Sequence, residues 1–229
     1  MVPWLKTRAD FPDTETALTE PAGPNGLLCA GGDLRPETIV AAYRRGIFPW
    51  FSDDQPILWW SPNPRMVLFP GEFKVTKSLA KTRRAGKFET RFDSAFADVI
   101  QGCAAPREPG GGTWIVPEMQ EAYMALHRLG VAHSVESWRN GELVGGLYGI
   151  ALGRVFFGES MFSQETDASK IALVALMEKL VRDDFALIDC QQQTRHLASF
   201  GARPIPRHEF VQRLQELINS KEPLSNWQR

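Results

Sequence analysis

Apolar residues in the second half of the chain concentrate in three consecutive stretches. Residues 131–138, 142–152 and 154–161 each predict a strand. Asn140-Gly141, between the first two stretches, is a strong signal for a two-residue hairpin turn. The pattern therefore predicts three strands that follow one another as an antiparallel meander.

Helical spacing of apolar residues begins where the meander ends. Asp167 is expected to cap a long helix that reaches about Arg182. A short buried strand at 185–190 follows, and further helices are predicted at 117–129, 194–200 and 207–218. Antiparallel strands followed by helix, strand and helix predict an α+β fold.

The first half of the chain is broken by proline and glycine. Residues 1–35 are rich in Pro, Gly and Asp, and we expect them to wrap the surface. Pro36 suits the first turn of a short helix that Gly46 can close. Residues 47–70 alternate prolines with aromatic runs, which predicts short strands and fixed turns, because each proline disfavours helix at the preceding residue.

Two more helices are predicted, at 76–86 and 94–102, before a glycine-rich interruption. Residues 106–113, PREPGGGT, have the composition of a flexible joint. We therefore expect an N-terminal domain of residues 1–105 and a C-terminal domain of residues 106–229.

Composition excludes several classes of protein. With 229 residues, 43% of them hydrophobic, the chain can bury a sizeable core. Its start lacks an apolar signal-peptide core, and no stretch approaches 18 uninterrupted apolar residues, so neither secretion nor a membrane span is predicted. Cys29, Cys103 and Cys190 are widely spaced and odd in number, which favours a reducing cytoplasm over a disulfide framework. We expect no metal, because His and Cys do not cluster, and no Walker A or HExxH motif is present.

With a net charge of −1, the chain can bind nucleic acid only if its positive side chains are concentrated on one part of the surface. Lys74, Lys77, Lys81 and Arg84 have spacings that place them on about one helical face, and Arg83 adds to the charge. This basic face is a candidate phosphate-binding surface. The alternative is a solvated helix face without a partner.

Two predicted strands end in polar residues. Glu159 lies on the apolar strand FFGESMFS, where a carboxylate is costly unless it is paired or solvated, so it could hold an ammonium group. Asp189 and Gln191 end the buried strand LIDCQ, where Asp189 could act as a weak base or charge stabiliser and Gln191 could orient an amine. The alternatives are a strand-end glutamate facing water and a structural aspartate. Cys190 is not expected to be a nucleophile, because no neighbouring cation or base is evident.

Six long runs, in this order, closely resemble the bacterial leucyl/phenylalanyl-tRNA–protein transferases. They are GLLCAGGDLRPETIVAAYRRGIFPWFS, ILWWSPNPR, VGGLYGIALGRVFFGESMFS, DASKIALVALMEKL, LIDCQ and ASFGARPIPRHEF, and they span about Gly26 to Phe210. The resemblance implies an enzyme that moves leucine or phenylalanine, and methionine more weakly, from aminoacyl-tRNA to the N-terminal Arg or Lys of acceptor proteins, which marks them for degradation by the N-end rule. It implies a cytoplasmic enzyme without a cofactor, and we expect a monomer.

The resemblance also implies a small N-terminal α/β domain and a C-terminal domain similar to the Gcn5-related N-acetyltransferases. It places Glu159, Asp189 and Gln191 at the reaction centre and the basic face at the acceptor stem. The expected contacts of the aminoacyl group and the terminal adenosine are Trp50, Trp114, Leu147, Met161, Phe162, Ser163, Ile171 and Leu176.

Two rival functions remain open at this stage. The first is an N-acyltransferase that uses acyl-coenzyme A, against which stands the absence of the Gln/Arg-x-x-Gly-x-Gly/Ala pyrophosphate loop. The second is a non-catalytic RNA-binding module, which would leave the strand-end carboxylates unexplained.

Overall fold

Two β-sheets organise the chain in a computed structural model that describes residues 2–7, 10–106, 113–219 and 227. The strands are β1 (Trp4–Leu5), β2 (Leu27–Gly31), β3 (Phe48–Pro49), β4 (Leu58–Trp60), β5 (Arg65–Leu68), β6 (Glu89–Phe92), β7 (Ala132–Arg139), β8 (Glu142–Leu152), β9 (Val155–Ser163), β10 (Leu187–Gln191) and β11 (Arg203–Ile205). A four-stranded sheet has the order β1-β2-β4-β3, and a seven-stranded sheet has the order β11-β5-β10-β9-β8-β7-β6.

Helices cover both faces of the large sheet. Within the described residues they are α1 (Pro36–Tyr43), α2 (Lys77–Arg84), α3 (Phe96–Ala104), α4 (Pro117–Arg128), α5 (Ala168–Arg182), α6 (Arg195–Ser199) and α7 (Arg207–Ile218). The helices α1, α3, α4 and α7 share one apolar core with the small sheet, while α5 packs in a second core. The predicted α+β class is confirmed.

The meander is present as β7, β8 and β9, paired antiparallel. Asn140 and Gly141 have φ angles of 52° and 82°, as the two central residues of a type I′ turn require, so the hairpin prediction is confirmed. None of the helices in the described ranges is both long and apolar enough to cross a bilayer.

The expectation that residues 1–35 wrap the surface is wrong for β2. Leu28, Cys29 and Ala30 are buried, and the strand pairs with β1 and β4 inside the small sheet. Its run LLCAG is apolar, but the Pro- and Gly-rich composition of the whole segment outweighed this short signal.

Asp167 occupies the position before α5, but its side chain does not cap the helix. Its carboxylate accepts hydrogen bonds from Lys170 Nζ (2.8 Å) and Thr82 Oγ1 (3.1 Å). The Oγ of Ser163, one of the residues expected at the substrate, instead accepts a bond from the Ser169 N–H (3.1 Å). Capping by Asp167 was therefore a wrong prediction, because the carboxylate is drawn to a lysine and to α2.

The large sheet contains strands from both sides of the predicted division at 105/106. Its strands β5 and β6 come from the first hundred residues, and they pair with β10 and β7 from the second half. The predicted joint lies largely outside the described residues, since 107–112 are among those not described. The division into 1–105 and 106–229 stays a prediction.

Candidate active site

Two parallel strands, β9 and β10, separate in the middle of the large sheet. They pair from Leu187↔Val155 to Asp189↔Phe157. Immediately beyond, β9 carries an extra residue relative to β8, since the register shifts between Tyr148 and Gly149. A bulge bends a strand and redirects its side chains, and this one redirects Glu159. The side chains of Glu159 and Gln191 therefore meet across the opening between the two strands.

A cavity of about 590 Å³ occupies this opening, a volume within the usual range of about 300–1,000 Å³ for ligand sites. Its apolar lining comes mainly from α5 and the strands beneath it, and aromatic residues of the opposite face complete it. Among the lining residues are Leu68, Phe156, Leu173, Met177 and Ile188, together with Phe48, Trp50, Trp114 and Tyr148. Its polar lining includes Glu159 and Gln191, together with Ser160, Gln192, Thr194 and His196.

Glu159 is surrounded by donors. Its Oε1 accepts from Tyr43 Oη (2.7 Å) and Gln191 Nε2 (3.1 Å), and its Oε2 accepts from Tyr123 Oη (2.8 Å). Burial raises the pKa of this carboxyl to about 7, and the nearby Asp189 charge also raises it, whereas the phenol and amide donors lower it. A carboxyl group with such a pKa can gain or lose a proton near neutral pH.

Asp189 is fully buried and bound on both oxygens. Arg65 on β5 donates to Oδ1 from Nε (2.8 Å) and to Oδ2 from Nη2 (2.6 Å). Both side chains of this bidentate ion pair are completely shielded from solvent. The Arg65 guanidinium also lies over the rings of Phe48 and Phe210, and it donates to the carbonyl of Gly46. Asp189 is thus the carboxylate of a buried, fully paired ion pair.

Gln191 links the two carboxyl groups. Its backbone N–H donates to Asp189 Oδ1 (2.9 Å), and its side-chain amide donates to Glu159. Its φ of 60° lies in the left-handed region, which is strained for a residue with a side chain and is common at functional sites. The ion pair of Asp189 therefore holds the backbone turn that aims the Gln191 amide at Glu159.

The predicted pocket residues separate into two groups. Leu147, Met161 and Leu176 line the cavity. Phe162 follows Met161 on β9 and points to the opposite face, because side chains alternate along a strand. Its ring lies against Gly102 of α3. Ile171 lies on another side of α5 and lines a second cavity of about 190 Å³.

Trp50 and Trp114 both line the large cavity. Trp50 is 38% exposed, which is unusual for so large an apolar side chain. Its ring meets Trp60 edge to face, with centroids 5.4 Å apart, and the Trp60 indole N–H donates to the carbonyl of Trp50 (2.6 Å). These contacts hold an open aromatic surface beside the cavity.

The basic residues lie on the outer surface of α2 and just before it. Lys74, Lys77, Lys81, Arg83 and Arg84 are all exposed. Arg83 forms an ion pair with Glu178 of α5, the same helix that lines the cavity with other residues. The basic face is therefore close in the fold to the cavity wall.

The sequence did not single out Tyr43, Tyr123 or Arg65. Both tyrosines occupy apolar positions of helices, α1 and α4, and read as ordinary core residues. Arg65 begins the apolar run RMVL. A charged residue at the start of a buried strand needs a partner, so this pattern could have indicated a buried ion pair. Burial and the nearby Asp189 charge raise the pKa of Cys190, consistent with its dismissal as a nucleophile.

An apolar cavity beside a carboxyl that titrates near neutrality is typical of an enzyme that positions a partly apolar substrate and moves a proton. No cluster of three or more metal-ligating side chains occurs in the part of the chain that the structure describes. The fold and site thus define an α+β protein with a cleft in which an apolar cavity adjoins a carboxyl that titrates near neutrality.

The chain belongs to the leucyl/phenylalanyl-tRNA protein transferase family. The family model matches residues 67–215, and the model of its N-terminal domain matches residues 32–63. This confirms the resemblance and makes the chain a transferase of the acyltransferase class.

Relatives that align with nearly the whole chain carry the same family name. A leucyl/phenylalanyl-tRNA–protein transferase of Azoarcus sp. (strain BH72) is 60% identical over 227 residues, covering 99% of this chain and 95% of the relative. That of Stutzerimonas stutzeri (strain A1501) is 62% identical over 216 residues, covering 93% and 94%. Among solved structures, L-PGS from Bacillus licheniformis aligns with a TM-score of 0.40 and 11% identity, over 75% of this chain and 57% of that one.

Proposed function

We propose that this enzyme transfers leucine or phenylalanine, and methionine more weakly, from aminoacyl-tRNA to the N-terminal Arg or Lys of acceptor proteins. The transfer would mark those proteins for N-degron-dependent degradation in the cytoplasm, and the enzyme would act as a monomer. The proposal rests on the family of the chain and on one structural observation. An apolar cavity opens onto the Glu159–Gln191 pair. Such a cavity can hold an apolar side chain while its ester faces polar groups.

The donor side chain would lie on the α5 side of the cavity. Leu173, Leu176 and Met177 follow one another at helical spacing and face Leu147 and Met161 of the sheet. Apolar pockets discriminate by only about 1–3 kcal/mol per methylene, so Leu, Phe and Met can share one site.

The tRNA 3′ end would lie on the other side, beside Trp50 and Trp114. An exposed indole gives a base a stacking surface, worth about 1–3 kcal/mol in single-stranded nucleic-acid complexes. The acceptor stem would then run over the basic face of α2. The C-terminal half would be a Gcn5-related N-acetyltransferase-like domain that takes a tRNA end in place of coenzyme A, with residues 1–105 as the tRNA-binding part.

The chemistry needs little beyond positioning. An aminoacyl ester is already activated, and the acceptor's α-amino group has a reference pKa of about 7.7–8.0, so a useful fraction is neutral in the cytoplasm. Holding both substrates in attack geometry can supply about 7–11 kcal/mol. Glu159 and Gln191 would contact the reacting amine and ester.

Asp189 would act through Gln191 instead of as the base. Both of its oxygens already accept hydrogen bonds from Arg65, and Oδ1 also accepts the Gln191 N–H. A carboxylate so engaged has little capacity left for a substrate proton.

The test combines tRNA charged with radiolabelled leucine or phenylalanine with a peptide that begins with Arg, and counts label on the peptide. An N-acetylated peptide is the control for the acceptor group, and Gln191→Ala, checked for folding by circular dichroism, tests the site. Label on the open peptide alone, strongly reduced in the variant, is expected. Tight tRNA binding without transfer would favour an RNA-binding module, and saturable coenzyme A binding with acyl transfer would favour the other rival.

A further inference from the structure

Trp227, which lies beyond the end of α7, is enclosed by side chains of the large sheet. Its side chain is buried, with 6% of its surface exposed. The indole stacks on His133 of β7, with centroids 4.1 Å apart and planes at 10°, and on Phe156 of β9, at 5.7 Å and 28°. Phe92 of β6 and Phe185 meet the indole edge to face. Three strands of the large sheet therefore contribute to one seat for this indole.

A buried cation makes this seat specific for an aromatic ring. Lys179 of α5 is 2% exposed, and its Nζ lies 4.9 Å from the centroid of the Trp227 ring. The same Nζ donates to Asp183 Oδ2 at 2.8 Å, which fixes its position. An ammonium group is attracted to the face of an aromatic ring, and to an indole most strongly. A phenyl ring should therefore replace the indole better than an aliphatic side chain does.

Phe156 connects this seat to the large cavity. Its ring is fully shielded from solvent and belongs to the cavity lining. A Cβ at Gly149 would lie only 2.6 Å from the Phe156 ring, so this ring also packs directly on bare backbone. Lys179 belongs to α5, the helix that supplies Met177 to the cavity wall. Trp227 therefore contacts both the sheet side and the helix side of the pocket.

We propose that Trp227 is a positioning residue for the donor pocket, where it holds the Phe156 ring and α5 in place and so sets the relative efficiency of leucyl and phenylalanyl donors. The inference rests on the proposed function. Removing the indole leaves space next to Phe156, and a packed interior relaxes only in part into such space. The pocket then becomes looser for the shorter leucine side chain, whereas the ring of phenylalanine still reaches its walls.

The first readout does not depend on transfer. Methionine methyl groups labelled with ¹³C report by NMR on Met161 and Met177, which line the cavity, and on Met119, which lies in the core shared with the small sheet. In Trp227→Ala we expect the signals of Met161 and Met177 to move, because the nearby Phe156 ring shifts, and the signal of Met119 to stay. Unmoved signals of both cavity methionines would overturn the proposal.

The second readout is the ratio of kcat/KM for leucyl-tRNA to that for phenylalanyl-tRNA, measured with the Arg peptide. In Trp227→Ala this ratio should fall about fivefold, which is less than the roughly 10–200-fold that a whole methylene is worth in an apolar pocket. Trp227→Phe keeps a ring beside Lys179, so its ratio should stay closer to the wild type than that of Trp227→Leu. An equal or reversed order of these two variants would contradict the proposed seat.

Phe11→Ala is the matched control for lost stability. Phe11 is buried in the core shared with the small sheet, where its ring meets Trp59 edge to face at 4.9 Å. This variant should lower the melting temperature and leave the donor ratio unchanged. If Phe11→Ala changes the ratio as much as Trp227→Ala does, the effect is one of stability and the proposal fails. Should melts show that Trp227→Ala does not fold, Trp227→Phe and Trp227→Leu carry the test.

The two readouts separate this proposal from the proposed function. If the wild type transfers no amino acid but the methyl signals of the cavity move as expected, the proposed function fails while Trp227 still positions the pocket. If transfer occurs and the donor ratio in Trp227→Ala equals that of the wild type, the positioning proposal fails and the function stands.

Discussion

The Arg65–Asp189 pair makes a quantitative prediction about stability that also bears on how variants at this site are interpreted. Asp189→Leu removes both oxygens that the guanidinium binds, at 2.6 and 2.8 Å, in a place where neither side chain meets solvent. The arginine then keeps the Gly46 carbonyl and two aromatic rings, and its charge is uncompensated. Breaking a buried pair in this way costs about 3–5 kcal/mol.

Such a loss is a large part of a typical folding free energy of about 5–15 kcal/mol. Urea unfolding at pH 7 measures it directly, and in a chain of this size we expect the melting temperature to fall by roughly 10 °C. The double variant Arg65→Met/Asp189→Leu should recover at least about 2 kcal/mol of the summed losses of the single variants, because it leaves no buried charge.

The exposed ion pair Glu209–Arg213 is a matched control on α7. Glu209→Ala should change the free energy of unfolding by less than about 1 kcal/mol. Additive losses in the double variant, or a cost below about 1 kcal/mol for Asp189→Leu, would refute the reasoning. If the prediction is correct, lost activity in an Asp189 variant is not by itself evidence for a catalytic base.

Three further predictions concern the Glu159 carboxyl, the apolar cavity wall at Leu176 and the basic face of α2. The pKa of Glu159 rises from 4.5 to about 7 on folding, so the unfolded chain ionises first and stability should fall by about 3 kcal/mol between pH 4.5 and 7. Urea titrations of Glu159→Gln should lack this component, and curves parallel to the wild type would contradict it. Leu176→Ala should lower kcat/KM for leucyl-tRNA about tenfold relative to phenylalanyl-tRNA, since the enlarged pocket still contacts a phenyl ring; an unchanged ratio in competition assays counts against this pocket wall. Replacing Lys77, Lys81 and Arg84 with Gln should reduce the slope of log K for tRNA against log salt by about 2, whereas an equal slope would mean that this face does not bind phosphate.

Local periodicity was enough for the elements that lie next to one another in the sequence. The meander follows from three apolar stretches and the Asn140-Gly141 turn, and the helix that ends at Arg182 follows from helical spacing. The polar residues Glu159, Asp189 and Gln191 were found for the same reason, since they interrupt or end apolar runs.

Local patterns did not predict elements that are short, and they did not predict which face of a sheet a given side chain would occupy. The strand β2 is five residues within a Pro- and Gly-rich segment, so composition concealed it. Phe162 and Met161 are adjacent and equally apolar, and only the orientation of β9 against α3 and α5 decided which one lines the cavity.

The sequence by itself determined the family, the α+β class and the polar residues of the two central strands. The tertiary structure alone decided what those residues touch: Arg65 and Asp189 are 124 positions apart, Tyr43 and Glu159 are 116 apart, and Tyr43 and Tyr123 are 80 apart. Such pairs depend on the sheet order, which brings β5 beside β10 and lets β9 and β10 separate. A carboxyl's protonation depends on that burial and those partners, because its ionised form is stabilised or penalised by everything within a few ångströms, wherever it lies in the chain.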